Sequence, residues 1–145
     1  MSGGGFLLPR PDEDSAPFWR FCAQGELRVQ ACGTCGRRRM PPRPMCAACR
    51  SLEVTWDPMS GRGRIWSFVV AHPPLLPAYA SEAPYNVVVV DLADDPTIRL
   101  VGNLVAAPDG ALDSIDPATI EIGEPVSVCF APEVDGIALP RWMRL

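Results

Sequence analysis

The sequence predicts a mostly β protein with a short N-terminal helix, a four-cysteine zinc ribbon and a C-terminal five-stranded OB-fold barrel. Two C-x-x-C pairs, separated by ten residues, indicate the ribbon. Apolar, β-branched runs between turn residues indicate the barrel strands, and 17 prolines among 145 residues favour short strands over long helices. We therefore expect three units: an arm and short helix over residues 1–25, the zinc ribbon over 26–57 and the OB-fold domain over 58–145.

The first unit is predicted to combine an extended arm with a helix. Residues 1–14 are rich in glycine, proline and acidic side chains, which favours an arm that is ordered only where something holds it. Ser15 is expected to cap a helix that begins near Ala16, and Gly25 to end it. A helix this short is not stable by itself, so it must pack on another surface.

Two bulky aromatic residues, Phe18 and Trp19, give this helix its apolar surface. They pack either on the neighbouring domain of the same chain or on another subunit. Together with Trp142 near the other end of the chain, they are the candidate interface anchors, because aromatic side chains supply large buried areas at protein interfaces.

The candidate metal ligands are Cys32, Cys35, Cys46 and Cys49. Two short turns that each offer two thiolates suit one tetrahedral ion, and zinc favours four sulfur ligands. Such a closed site has no open position for water or substrate, so the zinc is expected to be structural. Rubredoxin-type iron and two disulfides are the alternatives. Gly36 after the first pair suits the left-handed turn of a zinc knuckle, whereas Arg50 after the second pair predicts a looser knuckle.

The cellular location is inferred from the N-terminal residues. Residues 1–10 contain only a brief apolar run and do not resemble a signal peptide, and no apolar run in the chain approaches the roughly 18 residues of a membrane helix. We therefore expect a cytoplasmic protein, in which paired cysteines bind metal more often than they form disulfides. Cys22 and Cys129 lie outside the two pairs and are expected to be buried free thiols.

Residues 27–31 alternate between apolar and polar side chains, which predicts a half-buried strand with Arg28 and Gln30 on its polar face. A proline-stiffened segment between the cysteine pairs then carries four arginines: Arg37, Arg38, Arg39 and Arg43. This segment is either a solvated loop or a site for the phosphates of a nucleotide-bearing ligand, since guanidinium groups bind phosphate through two parallel hydrogen bonds.

The third unit contains five strand-like runs after a turn-rich hinge at residues 58–64. The strands are expected at residues 65–71, 85–92, 98–105, 126–130 and 137–142. The continuous run of valines at 87–90 is typical of a strand that is covered on both faces. Residues 115–121 predict a short helical turn or another brief strand.

The net charge of −4 hides a division between the ribbon and the barrel. Residues 26–57 carry six arginines against three acidic residues, a net of +3, whereas residues 58–145 carry five arginines against eleven acidic residues, a net of −6. An acidic barrel disfavours binding to a phosphate backbone, which depends on cationic neutralisation. A single-stranded nucleic-acid-binding zinc ribbon and OB module is therefore the alternative function and not the leading one.

Few side chains are suited to catalysis. The chain has no lysine, which excludes chemistry through a lysine Schiff base. His72 is the one histidine and so the only ordinary proton shuttle at neutral pH. It precedes two prolines and is expected at a strand end, either as a surface residue or as the base of an independent hydrolase or aldolase. We assign no catalytic residue to this chain.

In combination, these features resemble a family of small proteins that join an N-terminal helix and a rubredoxin-like zinc ribbon to an acyl-CoA-associated OB-fold domain. The resemblance covers about residues 17–142. Besides the two cysteine pairs, the segments that carry it are 17–19, 41–44, 60–72, 83–85, 100–105 and 122–126. The chain departs from the family at Arg50, where glycine is common, which bears on the geometry of the knuckle and not on the identity of the ligands.

The resemblance implies an accessory role. Proteins of this family accompany thiolase-like enzymes that act on acyl-CoA thioesters, including sterol-carrier-type thiolases, aldolases that cleave steroid side chains by a retro-aldol step, and acyltransferases. We therefore expect a non-catalytic subunit of a hetero-oligomeric aldolase (lyase) or acyltransferase complex, which bridges subunits, helps to bind CoA, or does both. The four arginines of the ribbon then become candidates for contact with the CoA phosphates or with the partner.

Overall fold

The computed structural model describes residues 5–145, and residues 1–4 of the predicted arm lie outside the described residues. The first part contains α1 (Ala16–Ala23), β1 (Arg28–Cys32), β2 (Arg38–Arg39) and β3 (Val54–Pro58). The second contains β4 (Arg62–Ala71), α2 (Pro77–Ala80), β5 (Tyr85–Leu92), β6 (Arg99–Gly102), β7 (Pro125–Phe130) and β8 (Pro140–Arg144). The predicted class, mostly β with a short N-terminal helix, is confirmed. Among the described residues, no helix has the length and apolar character needed to cross a bilayer.

Before helix α1, Ser15 contacts Asp12 instead of capping the helix as predicted. Ser15 already has helical backbone angles (φ −94°, ψ −14°) and makes no side-chain cap. Its amide donates to Asp12 Oδ1 at 2.8 Å, and its hydroxyl accepts from the Asp12 amide at 3.0 Å. The prediction that Ser15 caps the helix is therefore wrong, because a capping residue needs a non-helical backbone. Gly25 follows the helix with a left-handed φ of +78°, as predicted for its end.

The ribbon sheet has β1 at its centre, between β2 and β3. In its register Gln30 lies opposite Arg39 of β2 and Trp56 of β3. Four of the five residues of β1 are buried, Gln30 among them at 2% exposure. The predicted polar face is therefore wrong at Gln30, because the chain at Arg43 folds over that side of the strand and donates its amide to the Gln30 side chain.

The second sheet has the strand order β6-β5-β4-β7-β8 and closes on itself into a barrel. Closure occurs where Leu104, just after β6, forms a parallel bridge with Trp142 of β8. The Trp142 amide donates to the Asn103 carbonyl, and the Val105 amide donates to the Trp142 carbonyl, both at 2.9 Å. Strand β6 ends at Gly102, before the predicted residue 105, because residues 103–105 leave β5 to make this closure. The last strand likewise lies later than predicted, at Pro140–Arg144.

The valine run in β5 alternates between inside and outside. Val88 and Val90 are fully buried, whereas Val87 and Val89 are partly exposed on the outer face. The expectation that this strand is covered on both faces is wrong, because side chains of a barrel strand point alternately to the interior and the exterior. Between β6 and β7, residues Pro117–Thr119 form a single 3₁₀ turn, which matches the predicted helical turn.

A continuous core runs from the helix through the ribbon to the barrel. Phe18 and Cys22 of α1, Val29 of β1 and Trp142 of β8 belong to the same cluster of buried side chains. Helix α1 therefore packs on its own chain. Cys22 is a buried free thiol, as predicted, and burial raises its pKa to about 12. Cys129 is only half-buried.

Candidate metal centre and arginine-lined cleft

The two knuckles of the ribbon bring the four cysteines of the C-x-x-C pairs together. All four Sγ atoms lie within 4.8 Å of one another, with Cys32 and Cys49 at 3.5 Å and Cys35 and Cys46 at 3.7 Å. Tetrahedral zinc–thiolate bonds of about 2.3 Å place sulfur atoms about 3.8 Å apart, whereas a disulfide requires about 2.0 Å. Among the described residues, these four cysteines form no disulfide, and their spacing fits one tetrahedral metal ion.

The turns that follow the two cysteine pairs have the same backbone geometry. Gly36 and Arg50 both have left-handed φ values, +78° and +63°. The Gly36 amide donates to the Cys32 carbonyl and the Arg50 amide to the Cys46 carbonyl, each at 2.9 Å. The prediction of a looser second knuckle is therefore wrong. The consequence of an arginine there is backbone strain, because a side chain in the left-handed region meets its own carbonyl.

Backbone amides favour the thiolate form of the first cysteine in each pair. The amides of Cys35 and Thr34 both reach Cys32 Sγ at 3.4 Å and lower the pKa of this thiol to about 6. The amides of Cys49 and Ala48 lower the pKa of Cys46 in the same way. Since thiolates are the metal-binding form of cysteine, these contacts prepare Cys32 and Cys46 as metal ligands. Four sulfur ligands leave a zinc ion no open position for water or substrate.

The four candidate arginines all line one cleft beside the metal centre, between the ribbon and the barrel. The cleft has a volume of about 560 Å³, and its barrel side is formed by Asp95, Thr97 and Ile98. The sequence therefore identified a set of residues that the fold does bring together. The four guanidinium groups nevertheless differ in their exposure and in their hydrogen-bond partners.

Two of the arginines are engaged within the chain. Arg38 Nε donates to Asp57 Oδ2 at 2.8 Å, and its Nη1 lies 3.6 Å from Asp95 Oδ2. The hydrogen bond to Asp57 raises the pKa of Arg38, and the Asp95 contact ties the ribbon to the barrel. Arg39 is 6% exposed, and its Nε donates to Gln30 Oε1 at 2.6 Å. These two side chains therefore stabilise the architecture of the cleft.

Gln30 is a residue that the sequence reasoning missed. Its Oε1 accepts from Arg39 Nε at 2.6 Å and from the Arg43 amide at 2.7 Å, while Arg39 Nη2 donates to the Arg43 carbonyl at 2.9 Å. This network holds the proline-rich segment against β1. A lone glutamine in an alternating strand gives no signal of this role, because the covering segment lies 13 residues away in the chain.

The other two arginines are available to a ligand. Arg37 and Arg43 are exposed, and within residues 5–145 neither guanidinium forms an ion pair or hydrogen bond. They flank the cleft on the side of the ribbon. Two cations without carboxylate partners beside a cavity of this size provide an anion-binding surface.

The three aromatic residues that were predicted as interface anchors also differ in exposure. Phe18 is 7% exposed and Trp142 is 1% exposed, and both lie in the core of the chain. Their assignment as interface anchors is therefore corrected, because these side chains are already covered by the closed barrel and its helix. Trp19 stays half-buried, edge-on to Phe18 with ring centroids 5.0 Å apart. It is the one predicted anchor with surface left for a partner.

His72 is exposed immediately after β4, at the strand end where it was expected. Within the described residues, its ring makes no hydrogen bond or ion pair. It is not among the described residues that line the arginine cleft. This placement gives no support to a catalytic base.

Comparisons with known proteins agree on the architecture. The family model described as "ChsH2, rubredoxin-like zinc ribbon domain" matches residues 19–55, and the model described as "ChsH2, C-terminal OB-fold domain" matches residues 56–131. A solved structure named "Ltp2-ChsH2(DUF35) aldolase" superposes with a TM-score of 0.80 at 33% identity. This similarity covers 94% of this chain and 98% of that chain.

Two curated proteins are similar in sequence. The "Probable enoyl-CoA hydratase alpha subunit" of Thermomonospora curvata is 37% identical over 138 residues, which is 92% of this chain and 39% of the relative. The "3-oxo-4,17-pregnadiene-20-carboxyl-CoA hydratase alpha subunit" of Mycobacterium tuberculosis is 32% identical over 136 residues, which is 94% of this chain and 38% of the relative. The chain thus spans about two fifths of the length of the curated relatives it matches.

Proposed function

Because the chain belongs to the ChsH2 family of zinc-ribbon and OB-fold proteins, we propose that it is a non-catalytic accessory subunit of a complex that acts on acyl-CoA thioesters. Its partner is a thiolase-fold subunit, and the reaction is a retro-aldol cleavage in the degradation of a steroid side chain. In this role the zinc ribbon and the barrel bridge subunits and contribute to CoA binding.

The observation that carries this proposal is the similarity to a chain of a named aldolase over nearly its whole length. The chemistry of the site agrees with an accessory role. A metal closed by four thiolates supplies structural stability and no reactive ligand position. In the arginine cleft, Cys46 belongs to the four-cysteine cluster, and the carboxylates of Asp57 and Asp95 pair with Arg38. The cleft therefore does not offer the combination of a free nucleophile and a free base that independent catalysis requires.

The cleft supports the proposed contact with CoA. Among the described residues, Arg37 and Arg43 are exposed and have no carboxylate partner. Arg38 and Arg39 instead stabilise the cleft through their contacts with Asp57 and Gln30. Charge-assisted hydrogen bonds to phosphate contribute about 1.5–3 kcal/mol each, which corresponds to at least about tenfold in affinity. Arg37 and Arg43 are therefore the positions at which CoA phosphates are best bound, and Trp19 is the best remaining anchor for the partner.

The names of the curated relatives support a second candidate, a subunit of an enoyl-CoA or steroid carboxyl-CoA hydratase. This candidate shares the CoA thioester substrate with the first and differs in the partner and in the bond that reacts. Co-expression with partners of both types distinguishes the two candidates.

The test is co-expression of the full chain with thiolase-like and hydratase-type partners, followed by size-exclusion chromatography and assays of acyl-CoA cleavage and hydration on each recovered complex. We expect co-elution with a thiolase-like partner that is active only in the complex. Elution of this chain alone, with every partner's activity unchanged, contradicts the accessory role.

A double variant separates CoA binding from assembly. Replacement of Arg37 and Arg43 by glutamine is expected to raise the KM for the CoA thioester about tenfold or more while the complex still forms. Arg62→Gln is the matched control, since Arg62 is exposed and lies outside the cleft. An unchanged KM in the double variant contradicts the CoA contact and leaves the accessory role standing.

A further inference from the structure

A second arginine site lies on the barrel, away from the ribbon. Arg141 of β8 is 7% exposed, and its Nη1 donates to the carbonyls of Pro108 at 3.2 Å and Gly110 at 2.9 Å. Within residues 5–145 it forms no ion pair, and its Nε and Nη2 donate no hydrogen bond. Burial lowers the pKa of this group. Among the described residues, Nε and Nη2 of Arg141 do not belong to the fully buried nitrogens that lack a partner, so they face open space. They are therefore available to an anion that enters the adjoining cavities.

Arg141 lines two cavities of the barrel, of about 340 Å³ and 200 Å³. Leu139 and Phe6 line both cavities together with Arg141. The walls of the larger cavity are mainly apolar, and the residues that form them include Leu8, Ala111, Ala131, Pro132, Val134 and Ile137. Neither cavity shares a lining residue with the arginine cleft of the ribbon.

The two cavities differ in charge. The carboxylates of Glu82 and Asp109 line the larger cavity, whereas none of the described residues that line the smaller one is acidic. Glu82 Oε1 also accepts from the Leu112 amide at 3.3 Å, which fixes its position. An anionic group is therefore favoured on the smaller cavity's side of Arg141, and an apolar group is favoured among the walls of the larger cavity.

The N-terminal arm forms the outer wall of this site. The Phe6 ring stacks on the Tyr79 ring of α2, with centroids 5.1 Å apart and planes 2° from parallel. The Leu7 amide donates to the Tyr79 hydroxyl at 3.2 Å. These contacts hold the arm across the two cavities, so that an apolar molecule bound beneath it is shielded from water.

We propose that Arg141 and the two cavities beside it bind an apolar molecule that carries one carboxylate group. The guanidinium Nε and Nη2 receive the carboxylate, since the fork of an arginine matches the two oxygens of that group. The apolar body lies between the barrel and the arm. The larger cavity, of about 340 Å³, lies within the range of about 300–1,000 Å³ that is usual for small-molecule sites.

The experiment uses the full chain with 2-naphthoic acid as the probe and 2-naphthamide as its uncharged match, with binding measured by titration in heteronuclear NMR. We expect naphthoate to shift the Arg141 Nε–H resonance and to bind at least tenfold more tightly than the amide. Arg141→Gln should weaken naphthoate binding at least tenfold. Arg144→Gln, which removes the same charge from an exposed residue of the same strand, should leave it unchanged.

Arg141 also holds the carbonyls of Pro108 and Gly110, so Arg141→Gln could fail to fold. Ala111→Phe therefore serves as a second variant, because Ala111 is exposed and lines the larger cavity, so that a larger side chain there obstructs the cavity and leaves the guanidinium in place. Loss of naphthoate binding in a folded Ala111→Phe chain supports the site. Equal affinity for acid and amide, or unchanged naphthoate affinity in Ala111→Phe, overturns it.

Discussion

The side-chain amide of Asn86 pairs with the backbone of Leu104 on both of its hydrogen-bonding groups. Asn86 Nδ2 donates to the Leu104 carbonyl at 2.9 Å, and Asn86 Oδ1 accepts from the Leu104 amide at 2.7 Å. Both residues are fully buried. Leu104 also forms the bridge to Trp142 that closes the barrel, so a side chain of β5 satisfies the backbone at the point where β6 gives up its pairing with β5.

Replacement of Asn86 by leucine is expected to destabilise the chain by about 2–4 kcal/mol, because it leaves a buried donor and a buried acceptor of Leu104 unpaired. Urea unfolding monitored by tryptophan fluorescence measures the effect. Asn103→Leu is the matched comparison, since Asn103 Nδ2 donates one hydrogen bond, to the Asn86 carbonyl. This variant should lower the free energy of unfolding by less than Asn86→Leu does. An Asn86→Leu chain as stable as the native one would show that closure does not depend on this pair.

Gln30 should be sensitive to the loss of its acceptor oxygen. Gln30→Met keeps the volume of the side chain and removes the partner of Arg39 Nε and of the Arg43 amide. We expect a loss of about 2–3 kcal/mol in the free energy of unfolding, because the buried guanidinium of Arg39 loses a hydrogen bond. Gln30→Glu retains the acceptor and should stay within about 1 kcal/mol of the native chain. Equal losses in the two variants would contradict the role of the acceptor.

Arg50→Gly should stabilise the second knuckle. The left-handed backbone at Arg50 costs a non-glycine residue about 1–2 kcal/mol, and the greater flexibility of glycine in the unfolded chain offsets part of this gain. The expected net increase is about 0.5–1 kcal/mol, measured by chemical denaturation of the zinc-loaded protein. Arg37→Gly, at an exposed position that follows the first knuckle and lies outside the left-handed region, should give no gain, and a gain of equal size there would refute the strain argument.

Metal analysis of the purified chain should give one zinc per chain. Cys46→Ser is expected to abolish stoichiometric zinc binding and to lower the melting temperature, as excess chelator does for the native protein, because the ribbon loses the bonds that join its two knuckles. Cys22→Ser and Cys129→Ser test the specificity, since these thiols lie outside the cluster. Full zinc content in Cys46→Ser would remove this residue from the ligand set.

The loop at Asp94 should weaken in acid. Its carboxylate accepts from the Ser60 hydroxyl at 2.6 Å, which is the main cause of its lowered pKa. A carboxyl group whose folded pKa is depressed contributes stability above its unfolded pKa of about 3.9 and loses it as the pH falls through the folded pKa. Asp94→Asn should therefore reduce the stability difference between pH 6 and pH 3. An unaltered difference would mean that other carboxylates dominate the acid response.

The sequence by itself determined the metal ligands and the class of the fold. Two short C-x-x-C turns are local objects, and the spacing between them is enough to bring Cys32 and Cys49 to one ion. The barrel strands are likewise encoded by apolar, β-branched runs and by turn residues within a few positions of each other, although β4 begins at Arg62, inside the predicted hinge. Turns and strands of this kind depend on residues that are close in the sequence, so they do not require a particular distant segment to form.

Only the tertiary structure decided which side chains are available. Arg38 and Arg39 differ from Arg37 and Arg43 because Asp57, Asp95 and Gln30 reach the first two. Trp142 became a core residue because the end of β6 crosses to β8. Burial and pairing depend on which distant segment covers a residue, and the sequence around that residue carries no record of the covering segment.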